Sequence, residues 1–266
     1  MTWIKNRKAI NTMPIFSANI SLLYTDLPFI ERLAAAKADG FDSVECQFPY
    51  EASAGCSLSD IQNVSTALGM PMTLINLPAG DWAAGDRGIA CDPSRVDEFK
   101  AGIPLAIQYA KALNVPHVNC LAGIPPAGVS DELIQKTLIA NLTWAADALN
   151  EVGIKLLIEP INTFDIPGFY LNHSQQAADL IMAVKSSNLY LQYDAYHMHR
   201  MGENVLDVED WMPLIDHIQV ADHPGRNEPG TGEIPFADFF NLLDELGYEG
   251  WVGCEYKKLN KANFFA

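Results

Sequence analysis

The sequence predicts a (β/α)8 barrel, an α/β fold in which eight parallel strands alternate with helices around one core. Short β-rich apolar runs alternate with longer amphipathic stretches from one end of the chain to the other, which is typical of successive βα units. Eight such runs can be counted, and 266 residues are ordinary for one barrel domain. No GxGxxG motif follows the first strand, so a dinucleotide-binding sheet is disfavoured and no nucleotide cofactor is expected.

All eight predicted strands are short. They cover residues 16–20, 43–47, 72–77, 117–121, 155–159, 189–194, 217–221 and 251–255. Seven helices are predicted between them, over residues 27–39, 57–68, 95–113, 130–150, 174–186, 203–213 and 235–246. Ser57, Ser130 and Ser174 stand where N-caps are expected. Only residues 256–266 follow the last strand, so we expect a short or incomplete final helix.

The chain is expected to form a single domain. Residues 1–12 precede the first patterned strand and are interpreted as an N-terminal extension, and residues 13–266 as the barrel. Segments 77–94 and 222–234 are too long for plain connections and are rich in Gly, Pro and charge. Long loops in a compact domain are usually functional. These two follow strands three and seven, so we expect both over the face where barrel active sites lie.

Charge and cysteine usage narrow the class of partner. The chain has 33 acidic and 17 basic residues and a net charge of -16, which disfavours nucleic acid and anionic membranes as partners. A small anionic substrate remains compatible, because a few arginines in a pocket can reverse the field locally. The five cysteines show no CxxC spacing, and no apolar run approaches a membrane span. We therefore expect a cytoplasmic protein, and a homo-oligomer is compatible with the sequence.

Four polar residues close consecutive apolar strands. They are Glu159 in KLLIEP, Asp194 in LYLQYD, Gln219 in HIQVAD and Glu255 in WVGCEY. Three carboxylates converging at a barrel mouth would repel one another unless a cation lay between them. Oxygen ligands without thiolate favour Mg²⁺ or Mn²⁺, and the amide oxygen of Gln219 would add a fourth ligand. One such residue alone would more often be a cap or an ion-pair partner, but three acids and an amide on neighbouring strands favour a metal site.

Five further residues are candidates for substrate binding. They are His197, Arg226, Arg87, Glu45 and Asn76. His197 follows Asp194 closely, and an arginine in each long loop offers the guanidinium fork that matches a carboxylate. Loop-stabilising ion pairs with Asp86 or Glu228 are an equally good interpretation of the arginines. Glu45 and Asn76 end strands two and three, where they either face the mouth or hold loops in place.

Several longer motifs resemble one known family. They are FSANISLL, GFDSVECQFPY, NLPAGDWAAGDRGIA, IEPINTFDIPGFYL, QYDAYHMHRM, HIQVADHPGRNEPGTGEI and GWVGCEYK. Together they resemble the hydroxypyruvate isomerase family, within the xylose-isomerase-like TIM barrels that include tagatose and psicose epimerases. NLPAGDWAAG and EPGTGEI separate this family from its barrel relatives. The tail KKLNKANFFA departs from the usual family ending, and Gln219 replaces a histidine of the epimerases.

The resemblance implies a reaction and a role for each site residue. Glu159, Asp194, Gln219 and Glu255 would bind the metal, and Glu159 and Glu255 would exchange the proton. His197 and Arg226 match positions that contact substrate in the epimerases. Hydroxypyruvate would be converted to tartronate semialdehyde through an enediolate whose charge the cation stabilises, with Arg226 or Arg87 holding the carboxylate.

Three alternatives remain at this stage. The first is an isomerase or epimerase of a longer substrate, either a four-carbon 2-oxo-acid such as 2-oxo-tetronate or a ketohexose. A nuclease acting on damaged DNA would need more histidines and a basic groove, so the charge argues against it. A non-catalytic sugar-acid binding protein would be expected to have lost one of the two glutamates, and both are present.

Overall fold

The barrel is built from one parallel sheet. A computed structural model of the chain describes residues 15–259, and within them eight parallel strands form a single sheet in the order β2-β1-β8-β7-β6-β5-β4-β3. The strands are β1 Ile15–Asn19, β2 Ser43–Glu45, β3 Leu74–Asn76, β4 His117–Cys120, β5 Lys155–Ile158, β6 Leu189–Asp194, β7 Ile215–Val220 and β8 Trp251–Cys254. Every predicted strand is confirmed, with ends shifted by two residues or fewer.

The sheet closes between β2 and β3. Val44 and Met72 form a parallel bridge, and backbone hydrogen bonds run from Thr73 N to Val44 O at 2.8 Å and from Cys46 N to Leu74 O at 3.1 Å. Because these bonds join the two terminal strands of the sheet order, the sheet has no open edge. The predicted (β/α)8 barrel is therefore confirmed.

Helices follow the strands around the outside. They are α1 Phe29–Ala38, α2 Glu51–Ala54, α3 Leu58–Leu68, α4 Val96–Leu113, α5 Asp131–Asn150, α6 Ser174–Val184, α7 Ala195–Arg200, α8 Val208–Trp211 and α9 Phe236–Glu245. The prediction of one helix over 203–213 is wrong, because that segment divides into a 3₁₀ turn, Val205–Asp207, and α8. The sequence analysis also missed the short helices α2 and α7.

Capping explains where several helices begin. Ser57 and Ser130 accept hydrogen bonds from backbone N–H groups of the first turns of α3 and α5, as predicted. Ser174 is not a cap. It is the first residue of α6, and its N–H donates to Glu203 Oε1 at 3.0 Å instead. At α7, the side chain of Asp194 accepts from Tyr196 N at 2.8 Å, so a helix begins directly after β6.

Two predictions concern parts of the chain beyond residues 15–259. The proposed extension at residues 1–12 and the later part of the closing tail, residues 260–266, lie outside the described residues. From the end of β8 to Leu259 the described chain contains no helix. None of the helices in the described part is both long and apolar enough to cross a membrane.

Candidate active site

A small cavity opens at the carboxyl ends of the strands. Its volume is about 80 Å³, and residues from several strand ends and from both long loops line it. Segment 77–94 contributes Trp82, which packs on Phe48 with ring centroids 5.2 Å apart. Segment 222–234 contributes Arg226. The expected position of the two loops is therefore confirmed.

Three carboxylates converge at this cavity. Glu159 follows β5, Asp194 ends β6 and Glu255 follows β8, and all three are at most 4% exposed. One ligand atom from each of them and one from His197 lie within 4.8 Å of one another. Asp194 Oδ2 is buried and has no hydrogen-bond partner within residues 15–259. A buried carboxylate oxygen without a partner is costly, so this set of donors fits a cation.

The electrostatics of the cluster also fit a cation. Burial, with help from the charges of Glu255 and Asp194, raises the pKa of Glu159 well above its ordinary range. Burial raises the pKa of Asp194 to about 7, although Arg226 opposes the change. The pKa of Glu255 is raised in the same way. Burial and mutual repulsion therefore oppose ionisation of the three groups together, and a cation among them would relieve that repulsion.

The two glutamates have different partners. Glu255 accepts hydrogen bonds on both oxygens: Asn19 and Gln47 donate to Oε1 at 3.1 Å, and Arg226 donates to Oε2 at 2.5 Å. Glu159 accepts from Asn119 on Oε2 at 2.9 Å. The adjacent guanidinium lowers the pKa of Glu255 against the effect of burial. Glu255 is thus the glutamate held more strongly in its ionised form.

His197 faces the acids as a neutral hydrogen-bond donor. Its Nδ1 accepts from Asn162 Nδ2 at 2.6 Å, and Asn162 is oriented because its Oδ1 accepts from two backbone N–H groups. Nε2 lies 3.8 Å from Glu159 Oε1, 3.6 Å from Asp194 Oδ2 and 3.4 Å from Arg226 Nη2, which can also only donate. Because the Asn162 contact is the shorter of the two donor contacts, the proton of the neutral ring is assigned to Nε2. Burial, followed by Arg226, lowers the pKa of His197 well below its ordinary value. His197 is better suited to donate to a substrate oxygen than to ligate a metal through Nε2.

Gln219 is fixed at the floor of the cavity by Glu45. Gln219 Nε2 donates to Glu45 Oε1 at 2.6 Å, and Gln219 Oε1 accepts from Gln192 at 2.7 Å. Glu45 is fully buried and also contacts Asn19 at 2.9 Å and His217 Nε2 at 2.8 Å. Glu45 thus lies beneath the cavity and orients the amides above it, rather than forming part of the cavity wall.

The two candidate arginines differ in position. Arg226 lines the cavity, and its guanidinium lies 5.1 Å from the ring centroid of Tyr196. Arg87 stacks on Trp82 at 4.3 Å and donates to backbone oxygens of its own loop, outside the cavity wall. Asp86 forms its ion pair with Arg95, at 2.8 Å, and not with Arg87. Arg226 is therefore the arginine placed to meet a ligand, and Asn76 also lines the cavity as expected.

The sequence analysis missed a set of amides that hold the polar side chains of the site in place. They are Asn19, Gln47, Asn119, Asn162 and Gln192. Asn19 and Asn119 lie at or near the ends of β1 and β4, so the pattern of polar residues closing apolar strands would have found them if amides had been counted with acids. Asn162 lies in a loop after β5 and gives no such signal.

Comparison with known proteins agrees with this fold. Residues 33–263 match the model of the xylose isomerase-like TIM barrel family. The chain therefore belongs to that class of barrels.

Similar proteins narrow the family further. Hydroxypyruvate isomerase of Escherichia coli (strain K12) is 49% identical over 243 residues, covering 91% of this chain and 93% of that protein. A 2-oxo-tetronate isomerase of Cupriavidus necator is 39% identical over 246 residues, covering 92% and 93%. The chain belongs to the hydroxypyruvate isomerase family. The family resemblance and the expectation of an isomerase are both confirmed.

Solved structures agree with the fold. One named as an AP endonuclease of family 2, from Brucella melitensis, has a TM-score of 0.89 at 36% identity and covers 94% of this chain and 95% of that chain. A 3-keto-D-glucoside 4-epimerase from E. coli, 18% identical with a TM-score of 0.75 and 95% coverage of both chains, shares the barrel.

Proposed function

We propose that this protein isomerises hydroxypyruvate to tartronate semialdehyde (2-hydroxy-3-oxopropanoate). The observation that carries the proposal is the pair of buried glutamates, Glu159 and Glu255, which face one small cavity with unequal hydrogen-bond partners. Moving a hydrogen between neighbouring carbons needs one group to take a proton and one to give a proton. When their surroundings give two carboxyl groups different pKa values, one group can act as the proton acceptor and the other as the proton donor.

A divalent cation, Mg²⁺ or Mn²⁺, is part of the proposal. Glu159, Asp194, Glu255 and the amide oxygen of Gln219 would hold it, and the buried, unpartnered Asp194 Oδ2 supports this choice. When bound, the cation would stabilise negative charge that develops on the substrate oxygens.

The two glutamates would transfer the proton. Glu255, held ionised by Arg226 and two amides, would remove a proton from the hydroxymethyl carbon of hydroxypyruvate and leave an enediolate. Glu159, which accepts a hydrogen bond from Asn119 and whose pKa burial raises, would supply a proton to the former carbonyl carbon. The hydroxyl proton passes to the former carbonyl oxygen, so the product is the isomeric aldehyde and no redox partner is needed.

The remaining contacts would select a short acid. Arg226 offers a partly buried guanidinium to the substrate carboxylate, and His197 Nε2 lies 3.4 Å from that guanidinium. A cavity of about 80 Å³ is far smaller than the roughly 300–1,000 Å³ that encloses a drug-sized ligand. The size favours a three-carbon substrate over a ketohexose. Asn76 lines the cavity and is a further candidate for substrate contact, whereas Arg87 and Glu45, outside the cavity wall, have less support.

Two other activities are weighed against this one. The similarity to a 2-oxo-tetronate isomerase favours a four-carbon 2-oxo-acid as the second candidate substrate. One similar solved structure is named as an AP endonuclease, but we do not propose DNA as a substrate, because the net charge of -16 disfavours DNA binding. A cytoplasmic location and a homo-oligomeric state remain predictions, and the proposed reaction adds the prediction of a role in glyoxylate metabolism.

The test is an NMR time course in D₂O with the Mg²⁺-loaded protein. Hydroxypyruvate, a four-carbon 2-oxo-acid and D-fructose are compared in parallel, with and without a chelator. We expect tartronate semialdehyde to form from hydroxypyruvate, carrying deuterium at C2, only when metal is present. Turnover of the four-carbon acid alone would replace the substrate, and binding of substrates without turnover would favour the inert sugar-acid binding protein.

A further inference from the structure

A second cluster of metal-binding side chains lies outside the catalytic cavity. His199 on α7 meets His223 and Glu233, which stand near the two ends of segment 222–234. Their imidazole nitrogens and carboxylate oxygen lie within 4.8 Å of one another. All three residues are partly or fully exposed, so an ion could reach them from solvent. We propose that this cluster, the α7–loop site, binds a transition-metal ion of the Zn²⁺ class.

The distances are close to those of a metal centre. Glu233 Oε1 lies 3.3 Å from His199 Nε2 and 3.8 Å from His223 Nε2. With metal–ligand bonds of about 2.0–2.2 Å, two ligands of a tetrahedral ion are separated by about 3.3–3.6 Å. Glu233 Oε1 and His199 Nε2 are therefore already at that spacing, and His223 Nε2 lies slightly beyond it from the carboxylate. All three ligand atoms lie within 4.8 Å of one another, so the imidazoles would close in on a bound ion.

The donor chemistry differs from that of the acid cluster. Two imidazoles and one carboxylate suit Zn²⁺, Co²⁺, Ni²⁺ or Cu²⁺, whereas the oxygen donors of the catalytic cluster suit Mg²⁺ or Mn²⁺. His223 Nδ1 is buried and has no hydrogen-bond partner among residues 15–259. Nε2 is the ring nitrogen that faces the Glu233 carboxylate, at 3.8 Å, so it is the atom placed to bind the ion.

The backbone of segment 222–234 brings two of the ligands together. The Asp222 carboxylate accepts from the backbone N–H groups of His223, Gly230, Gly232 and Ile234 at 2.8–3.1 Å. Glu233 N donates to His223 O at 2.7 Å. A Cβ on Gly232 would collide with the His223 carbonyl oxygen, so the close approach depends on glycine there. His223 and Glu233 are thus held near each other before an ion binds.

A bound ion would connect two parts of the active site. The segment 222–234 carries Arg226, which contacts Glu255, and α7 carries His197. An ion shared by His199, His223 and Glu233 would fasten that segment to α7 across the rim of the cavity. Binding would therefore stabilise the folded protein according to ion concentration and affinity.

The test titrates Zn²⁺ into the full-length protein in excess Mg²⁺, and follows the six histidine side chains by long-range ¹H–¹⁵N NMR. We expect the imidazoles of His199 and His223 to shift together and saturate with one equivalent of Zn²⁺. Because this readout uses the wild-type chain, it does not depend on whether a variant folds. Zn²⁺ shifting only His197, or shifting neither His199 nor His223, would overturn the proposal.

Variants then assign the ligands. His199→Ala, His223→Ala and Glu233→Gln should each weaken Zn²⁺ binding at least about tenfold in calorimetry and abolish the Zn²⁺-dependent rise in melting temperature. His173→Ala, which removes the exposed histidine at the N-cap of α6, is the matched control. Its affinity for Zn²⁺ should equal that of the wild type. Equal Zn²⁺ affinity in His199→Ala and His173→Ala would overturn the proposal. That result would not bear on the proposed isomerase activity, which is measured separately with Mg²⁺ alone.

Discussion

Glutamine substitutions at Glu159 and Glu255 should have equal effects on catalysis and unequal effects on stability. Each change removes a proton-exchanging carboxylate and keeps the size of the side chain. General acid–base catalysis contributes about 10²–10⁴-fold, so both variants should lose about that factor in turnover of hydroxypyruvate. At about 1.4 kcal/mol per factor of ten, the barrier rises by about 3–5 kcal/mol.

The difference in stability follows from the hydrogen bonds. Glu255 accepts donors on both oxygens, from Arg226 on one side and from Asn19 and Gln47 on the other. Glutamine has one carbonyl oxygen, so its NH₂ group must face one of these sets of donors. An unsatisfied buried donor costs about 1–3 kcal/mol. Glu159→Gln can keep its bond from Asn119 through the carbonyl oxygen, and it removes one charge from the crowded cluster.

Chemical unfolding of chelator-treated protein measures that difference. Glu255→Gln should unfold with a free energy about 1–3 kcal/mol below that of Glu159→Gln, and the NMR assay measures turnover on the metal-loaded variants. Glu132→Gln, in the exposed first turn of α5, is the matched control and should retain both properties. Equal destabilisation of the two variants would refute the hydrogen-bond reasoning, and wild-type turnover in either one would refute the assigned proton transfer.

Three further predictions concern the metal, the histidine and the arginines. Burial raises the folded-state pKa of Asp194 to about 7. The contribution of Asp194 to stability is therefore present below its unfolded pKa of about 4 and is lost as pH rises through about 7. The melting temperature of chelator-treated wild type should fall relative to that of Asp194→Asn between about pH 5 and about pH 8, and Mg²⁺ should restore it. A difference that does not change with pH would contradict this account of the cluster. Asn162→Ala removes the donor that fixes the His197 tautomer. We expect ¹⁵N NMR of this variant to show proton density on His197 Nδ1, and turnover to fall about 10–100-fold. An unchanged tautomer would show that Asn162 does not control the protonation of His197. Arg226→Lys should raise KM for hydroxypyruvate about tenfold or more, because lysine lacks the planar guanidinium fork. Arg87→Lys should leave KM within about twofold of wild type. A larger rise in KM for Arg87→Lys than for Arg226→Lys would assign carboxylate recognition to segment 77–94.

The strands and the acids were predictable because their signals are local. Each strand is a short apolar run set off by turns, and its pattern does not depend on distant residues. In a closed parallel barrel all strand ends meet at one face. Finding Glu159, Asp194 and Glu255 at strand ends was therefore enough to predict that they converge, and the structure brings them to one cavity.

The helix after β6 shows where local reasoning failed. The pattern over 203–213 suggested one helix, but α7 begins at Ala195 because the Asp194 side chain caps it. The same carboxylate ends a strand, caps a helix and belongs to the acid cluster, and its Oδ2 has no hydrogen-bond partner in the described part of the chain. A residue with three roles does not fit a single sequence pattern.

By itself the sequence determined the barrel, the order of its strands along the chain, the acid cluster and the family. These follow from hydrophobic periodicity, from residue type at strand ends and from motifs, all of which are read along the chain. Tertiary structure alone decided which groups surround each acid. Asn19 lies 236 positions from Glu255 in the chain and Glu45 lies 172 from His217, yet each pair is within hydrogen-bond distance. Protonation and charge balance depend on distances in space and on burial, and neither is encoded in the spacing of residues along the chain.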